Sequence, residues 1–272
     1  MYNLLFVNCR WLDRDIKLPW PGMGLSRWGS GLRELAIVGC LYGSFRLASG
    51  AVAYKDGLAF QNAYDIVGLE RFLRLFVERD FQSLFLGSTF LIHLINVLYT
   101  VCYYPAIIIF GIWAYNRHRE QYFIVRNVLF VSAGLAFLCF ALYPLAPPRM
   151  LSELGFTDTI APYSTVDYSS SAASILTNPY AAMPSLHFGW PLLVGIATIC
   201  IARTWWLKLL GALVPSFMLV AIVATGNHFI LDAIGGALVI GLAYGLVVLF
   251  DRLRQRGNVF GLGRPAQLSG NA

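Results

Sequence analysis

Residues 207–250, LKLLGALVPSFMLVAIVATGNHFILDAIGGALVIGLAYGLVVLF, contain only three charged or histidine side chains: Lys208, His228 and Asp232. Two apolar runs, 207–225 and 229–250, flank the break Gly226-Asn227-His228. Each is close to the roughly 20 helical residues that cross a hydrocarbon core about 30 Å thick. A polar group beside such a run is expensive to bury, so it marks a functional site by default. The stretch therefore predicts two transmembrane helices with a histidine and a carboxylate at their junction.

The same pattern recurs upstream. Further apolar runs at 31–53, 84–114, 123–143 and 184–202 bring the predicted spans to six. The chain has 272 residues, 58% of them hydrophobic and 12% charged, with a mean hydropathy of +0.64. Soluble proteins carry about 25% charged residues, so the expected fold is all-α, a polytopic membrane bundle. Run 84–114 is longer than one crossing needs, and Pro105 kinks it or divides it into a hairpin. The fifth run opens on a second histidine, His187, in Pro184-Ser185-Leu186-His187.

Residues 1–30 read as a cytoplasmic segment. Arg10, Asp13, Arg14, Asp15, Lys17, Pro19 and Pro21 interrupt it, unlike the apolar centre of a cleavable signal peptide. Residues 31–250 form the transmembrane unit, and 251–272 a cytoplasmic, disordered tail rich in small residues. Segment 65–82 places Leu69, Phe72, Leu73 and Phe76 opposite Glu70, Arg71, Arg74 and Glu78, the pattern of an interfacial amphipathic helix. Loop 144–183, with five prolines and a serine patch at 169–171, is of a length that is usually functional or disordered.

The net charge of +6 reflects topology and gives no reason to expect nucleic acid. With the N-terminus inside, most Lys and Arg fall in cytoplasmic segments, among them Arg117, Arg119, Arg126, Arg203 and Arg252, and His118 belongs to one such Arg-rich turn. Loop 144–183, His187 and His228 then face the extracytoplasmic side. The five cysteines stand singly without a CxxC pair, as small packing residues rather than disulfides or metal ligands. Gly235, Gly236, Gly241 and Gly245 suit close helix contacts, and Trp28, Trp113, Trp190, Trp205 and Trp206 suit interfacial anchoring.

Asp232 follows His228 by one helical turn, so the two share a face. A carboxylate at one ring nitrogen fixes the tautomer and makes the other a better nucleophile or base. His187 supplies the complementary acid if the helix ends meet. Arg149, held by Ala146-Pro147-Pro148, offers a bidentate clamp for phosphate. Asn227 and Ser185 add donors, although Ser185 is equally an N-cap for the fifth helix. Nucleophile, orienter, acid and anion clamp together fit phosphoryl transfer through a phosphohistidine.

Three segments, Tyr143-Pro-Leu-Ala-Pro-Pro-Arg149, Ala182-Met-Pro-Ser-Leu-His187 and Thr225-Gly-Asn-His228-Phe-Ile-Leu-Asp232, resemble the motifs of the type 2 phosphatidic acid phosphatase (PAP2) superfamily, over about residues 65–250. Within it, the branch holding inositol phosphorylceramide synthases is the most similar. The resemblance implies that His228 attacks phosphorus, Asp232 orients it and His187 protonates the leaving oxygen. It further implies an integral membrane enzyme, in the plasma membrane if bacterial, with a phospholipid or lipid phosphate as substrate and no cofactor. The chain departs from the usual pattern at Leu142 and Ile222, where a lysine and an arginine are customary, and at Met150, where a proline is. Arg149 thus carries more of the phosphate, a pattern that favours transfer over generic lipid phosphatase activity.

Two other classes use the same residues. His187, His228 and Asp232 also make a zinc-type donor set for an intramembrane hydrolase, but no HExxH motif supplies a base. Paired histidines also serve haem, and a membrane bundle serves transport. Histidines at helix ends near one surface do not suit haem, and no pair of broken-helix repeats supports transport.

Overall fold

Backbone N–H and C=O groups that face lipid find no water to bond, so an apolar chain satisfies them internally as helix. The structure, a computed structural model that describes residues 27–51, 56–159 and 178–259, is all-helical accordingly, with no strand among the described residues. The N-terminal helices are α1 (Arg27–Ala51), α2 (Asp56–Leu73), α3 (Glu78–Leu86) and α4 (Thr89–Val97). A π-helical turn, Leu98–Cys102, joins α4 to α5 (Tyr103–Arg117), which leads into α6 (Arg119–Leu142). After an irregular segment come α7 (Leu186–Ile201), α8 (Trp205–Ala224) and α9 (Ile230–Val259). The predicted cytoplasmic segment up to residue 26, the serine patch and residues 260–272 lie outside the described residues.

Helices α6, α8 and α9 are each long and apolar enough to cross a membrane, and the bent pairs α1–α2 and α3–α4 raise the number to five. Six spans were expected, and two local features account for the difference. Run 184–202 yields a helix of only 16 residues, about 24 Å at 1.5 Å per residue, because its first residues are taken up by the site. Run 84–114 breaks at Gly87–Ser88, where α3 and α4 meet at 118° and the Ser88 hydroxyl caps α4. Pro105 makes no hairpin. It sits just inside α5, after the π-helical turn that absorbs the irregularity.

The amphipathic segment is also two helices, separated where Arg74 takes a φ of 58°. Its polar side is divided, because Arg71 and Arg74 are exposed and the two glutamates are not. Phe72 is 83% exposed, whereas Glu70 and Glu78 are fully buried. In lipid an apolar face turns outward and polar groups turn inward to meet partners.

The core lies between α6, α7, α8 and α9, with α5 against α7. Gly236 allows α9 to reach α7, since a Cβ there would stand 2.3 Å from the Ser185 carbonyl oxygen. Gly241 and Gly245 meet nothing within 4 Å, so the predicted close contact belongs to Gly236 and not to the later pair. Trp205 and Trp206 are exposed, as anchors should be. Trp190 is instead buried, its indole N–H donating to the Ser132 hydroxyl at 3.1 Å.

Arg126 pairs with Glu34 and ties α6 to α1. His118 packs its ring 4.9 Å from Trp113. Burial, then the charges of Arg203 and Arg117, holds it below the ordinary histidine range. Helix α9 continues past residue 250, helped by an Asp251–Gln255 bond of 2.7 Å, and takes in the first part of the predicted tail.

Candidate active site

The site is built on the N-terminus of α9. A helix start leaves backbone N–H groups without intrahelical partners, and here three buried carboxylates accept them in turn. Phe229 N–H donates to Asp232 Oδ2, Ile230 N–H to Glu78 Oε1 and Leu231 N–H to Glu70 Oε1, each at 2.9 Å. The positive end of the helix dipole favours this charge. Glu70 and Glu78 thus fix α9 relative to α2 and α3. Removing an N-terminal acceptor costs about 1–2 kcal/mol, so Glu78→Ala should lower the melting temperature by several degrees, while Glu78→Gln, which keeps an acceptor oxygen, should lower it less. Equal melting of Glu78→Ala and wild type would remove the cap.

This anchored end presents His228, which is 4% exposed. Its Nδ1 lies 2.9 Å from the Ala182 carbonyl oxygen and 3.4 Å from Asp232 Oδ2. A carbonyl oxygen only accepts, so Nδ1 carries the hydrogen and Nε2 keeps its lone pair. Asp232 was expected to orient the ring. In the structure the shorter bond is to Ala182, with Asp232 also bound to the Phe229 N–H. The Ala182 carbonyl is itself placed by the neighbouring bridge between Leu145 and Ala181 and by the Leu145 N–H bond to Tyr180, at 2.8 Å.

His187, in the first turn of α7, has its ring centroid 5.9 Å from that of His228. Tyr99 and Tyr103 hold it at centroid distances of 4.7 and 4.5 Å. The helix ends do meet.

Arg149 arrives on a short turn after Pro147 and Pro148. Its backbone N–H donates to Gly226 O at 2.7 Å, its Nε to Asn227 Oδ1 at 2.8 Å, and its guanidinium lies 3.7 Å from Asp158. Asn227 in turn donates to Thr225 Oγ1 at 2.7 Å. Gly226 has a φ of 66°, and a Cβ there would stand 2.9 Å from Gln82 Nε2, so the turn that presents His228 requires glycine. Ser185 is the N-cap of α7. It is fully buried and accepts from Phe188 N–H at 3.4 Å.

These groups converge on a cavity of about 160 Å³ lined by His187, His228, Arg149 and Asn227, together with Arg46 and the tyrosines 42, 99, 103 and 104. Ser185 and Asp232 lie behind the lining. No three His, Cys, Asp or Glu side chains among the described residues are disposed to hold a metal ion.

Glu70, Glu78, Gln82 and Asn96 are absent from the motif reading. Gln82 brackets Thr157 with two bonds of 3.0 Å, and Asn96 holds Thr159 with bonds of 2.7 and 3.1 Å, so both fix the segment that follows Arg149. Glu70 and Glu78 were read as the polar face of an interfacial helix, and the signal for Gln82 and Asn96 was an amide in apolar surroundings.

No curated protein and no solved structure matches the chain. A family model for the PAP2 superfamily matches residues 64–246, about two-thirds of the chain, and spans both histidines, Asp232 and Arg149. The chain belongs to the PAP2 superfamily.

Proposed function

We propose that the protein is a membrane phosphotransferase acting on lipid-linked phosphoesters through a phosphohistidine at His228. Membership of the superfamily supports phosphatase or phosphotransferase chemistry. The observation that carries the finer reading is the Nδ1 bond of His228 to the Ala182 carbonyl, which reserves Nε2 for attack.

Nε2 attacks phosphorus, the bond to the leaving oxygen breaks, and His187 gives that oxygen its proton. His187 then takes a proton from the acceptor hydroxyl as it attacks the phosphohistidine, restoring both histidines. Arg149, oriented by Asn227, binds the phosphoryl oxygens. Water as acceptor gives hydrolysis and an alcohol gives transfer, including transfer of a phosphoryl-alcohol group such as phosphoinositol.

The transfer reading draws on two positions. Leu142 is 80% exposed at the end of α6, and Ile222 is fully buried in the core. Neither brings a cation to the phosphate, in line with the synthase-like branch. The charge bias argues for a site that opens on the extracytoplasmic side.

Incubating purified protein with labelled phosphatidic acid, polyprenyl phosphate and phosphatidylinositol, with and without alcohol acceptors, tests the reading. One of these donors should give an acceptor-bound phosphoester in the presence of a chelator or, without an acceptor, free phosphate from a monoester donor and inositol phosphate from phosphatidylinositol. Activity that chelator removes and metal restores would point to the hydrolase alternative.

A further inference from the structure

Helix α1 lies outside the residues that match the superfamily, yet it forms a wall of the cavity. Tyr42, Phe45, Arg46 and Ser49 all line it, at the i, i+3, i+4, i+7 spacing of one helical face. The helix is held independently of Arg46, by the Glu34–Arg126 pair and by a bond of 2.9 Å between the Tyr42 and Tyr104 hydroxyls.

Arg46 makes no ion pair with a carboxylate among the described residues, although it is half-buried and within electrostatic range of His187, Tyr103 and Tyr104. A guanidinium facing a partly desolvated cavity is costly unless an anion meets it, and no carboxylate among the described residues does so for Arg46. Arg149, the other cation there, is shared with Asp158. A phosphomonoester carries nearly two negative charges near neutral pH, more than Arg149 alone balances. The cavity, at about 160 Å³, is smaller than the roughly 300 Å³ at which pockets begin to hold whole drug-sized ligands, so it suits a phosphate group with any acyl chains left in the bilayer.

We propose that Arg46, which lines the same cavity as Arg149, is the second cationic contact for the substrate's phosphoryl oxygens, supplied by a helix outside the residues that match the superfamily. This rests on the phosphoryl-transfer reading above. The ligand chemistry is a tetrahedral phosphate oxyanion, free or as a lipid headgroup.

The test is titration of the full chain in detergent with inorganic phosphate and, separately, with dioctanoyl phosphatidic acid. Arg46→Gln should raise both dissociation constants about tenfold or more, the scale of a lost charge-assisted hydrogen bond, and raise KM more than it lowers kcat. Arg46→Lys keeps the charge but not the fork, and should fall between wild type and Arg46→Gln. The exposed control Arg203→Gln should match wild type.

Wild-type affinity for phosphate in Arg46→Gln overturns the proposal, and so does a loss confined to the lipid, which would make Arg46 a headgroup anchor. Should Arg46→Gln lose its thermal transition, Arg46→Lys decides: a rise in Kd supports the contact and an unchanged Kd overturns it. A wild-type protein that binds neither ligand and turns over no phosphoester defeats the phosphoryl-transfer reading itself. Binding and turnover with a silent Arg46 defeat only this inference.

Discussion

His228→Ala is expected to lower turnover by about ten-thousand-fold or more, the scale seen when a covalent nucleophile is removed. The reason lies in how the ring is divided. Nδ1 belongs to the fold, donating to the Ala182 carbonyl at 2.9 Å and facing Asp232, which leaves Nε2 for the proposed attack. Alanine removes both, and an unpaired buried carbonyl costs about 1–3 kcal/mol of stability. His228→Asn separates the two roles, since its amide nitrogen takes up a position near Nδ1 and nothing replaces Nε2. Asparagine should therefore restore the melting temperature toward wild type while activity stays absent. Recovery of activity along with stability would show that the histidine only packs.

The second large effect is expected at His187. Loss of a general acid costs about 100- to 10,000-fold, and the loss should depend on the leaving group. His187→Ala should be crippled on alkyl phosphoesters, whose leaving oxygen needs a proton, and far less on p-nitrophenyl esters, whose leaving group departs as an anion. The geometry explains why one histidine takes this part. His187 is fixed between Tyr99 and Tyr103 with its ring 5.9 Å from that of His228, and no carboxylate ion pair holds it among the described residues. An equal loss on both substrate types would remove the acid role, because a merely structural defect does not distinguish leaving groups.

Much of the site was legible because its residues interrupt apolar sequence. His228 and Asp232 announce themselves by their spacing, and Arg149 by the two prolines before it, and the fold brings the two histidines, Arg149 and Asn227 to one cavity. What the sequence concealed is direction. Periodicity shows that Glu70 and Glu78 share a side of their segment, but not whether that side turns to water or to protein. In lipid it turns inward, and the two carboxylates cap α9. The same ambiguity hid α1, whose cavity-lining face reads as an ordinary stretch of a transmembrane run.

The difference between six expected spans and three to five candidate spans among the described residues has a related reason. Hydropathy sees run 84–114 as continuous, whereas Ser88 ends one helix and caps the next at a right-angled turn or sharper. A cap is a backbone matter that an apolar average does not register.

The central claim is that His228 becomes covalently phosphorylated. Rapid quenching of the protein with a phosphorus-labelled donor, followed by peptide mapping under alkaline conditions, measures it directly, because phosphohistidine is stable to base and labile to acid. The account predicts acid-labile label on the peptide that carries His228, with none in His228→Asn. Label on a different residue, or turnover with no label at all under conditions that trap the first half-reaction, would contradict it.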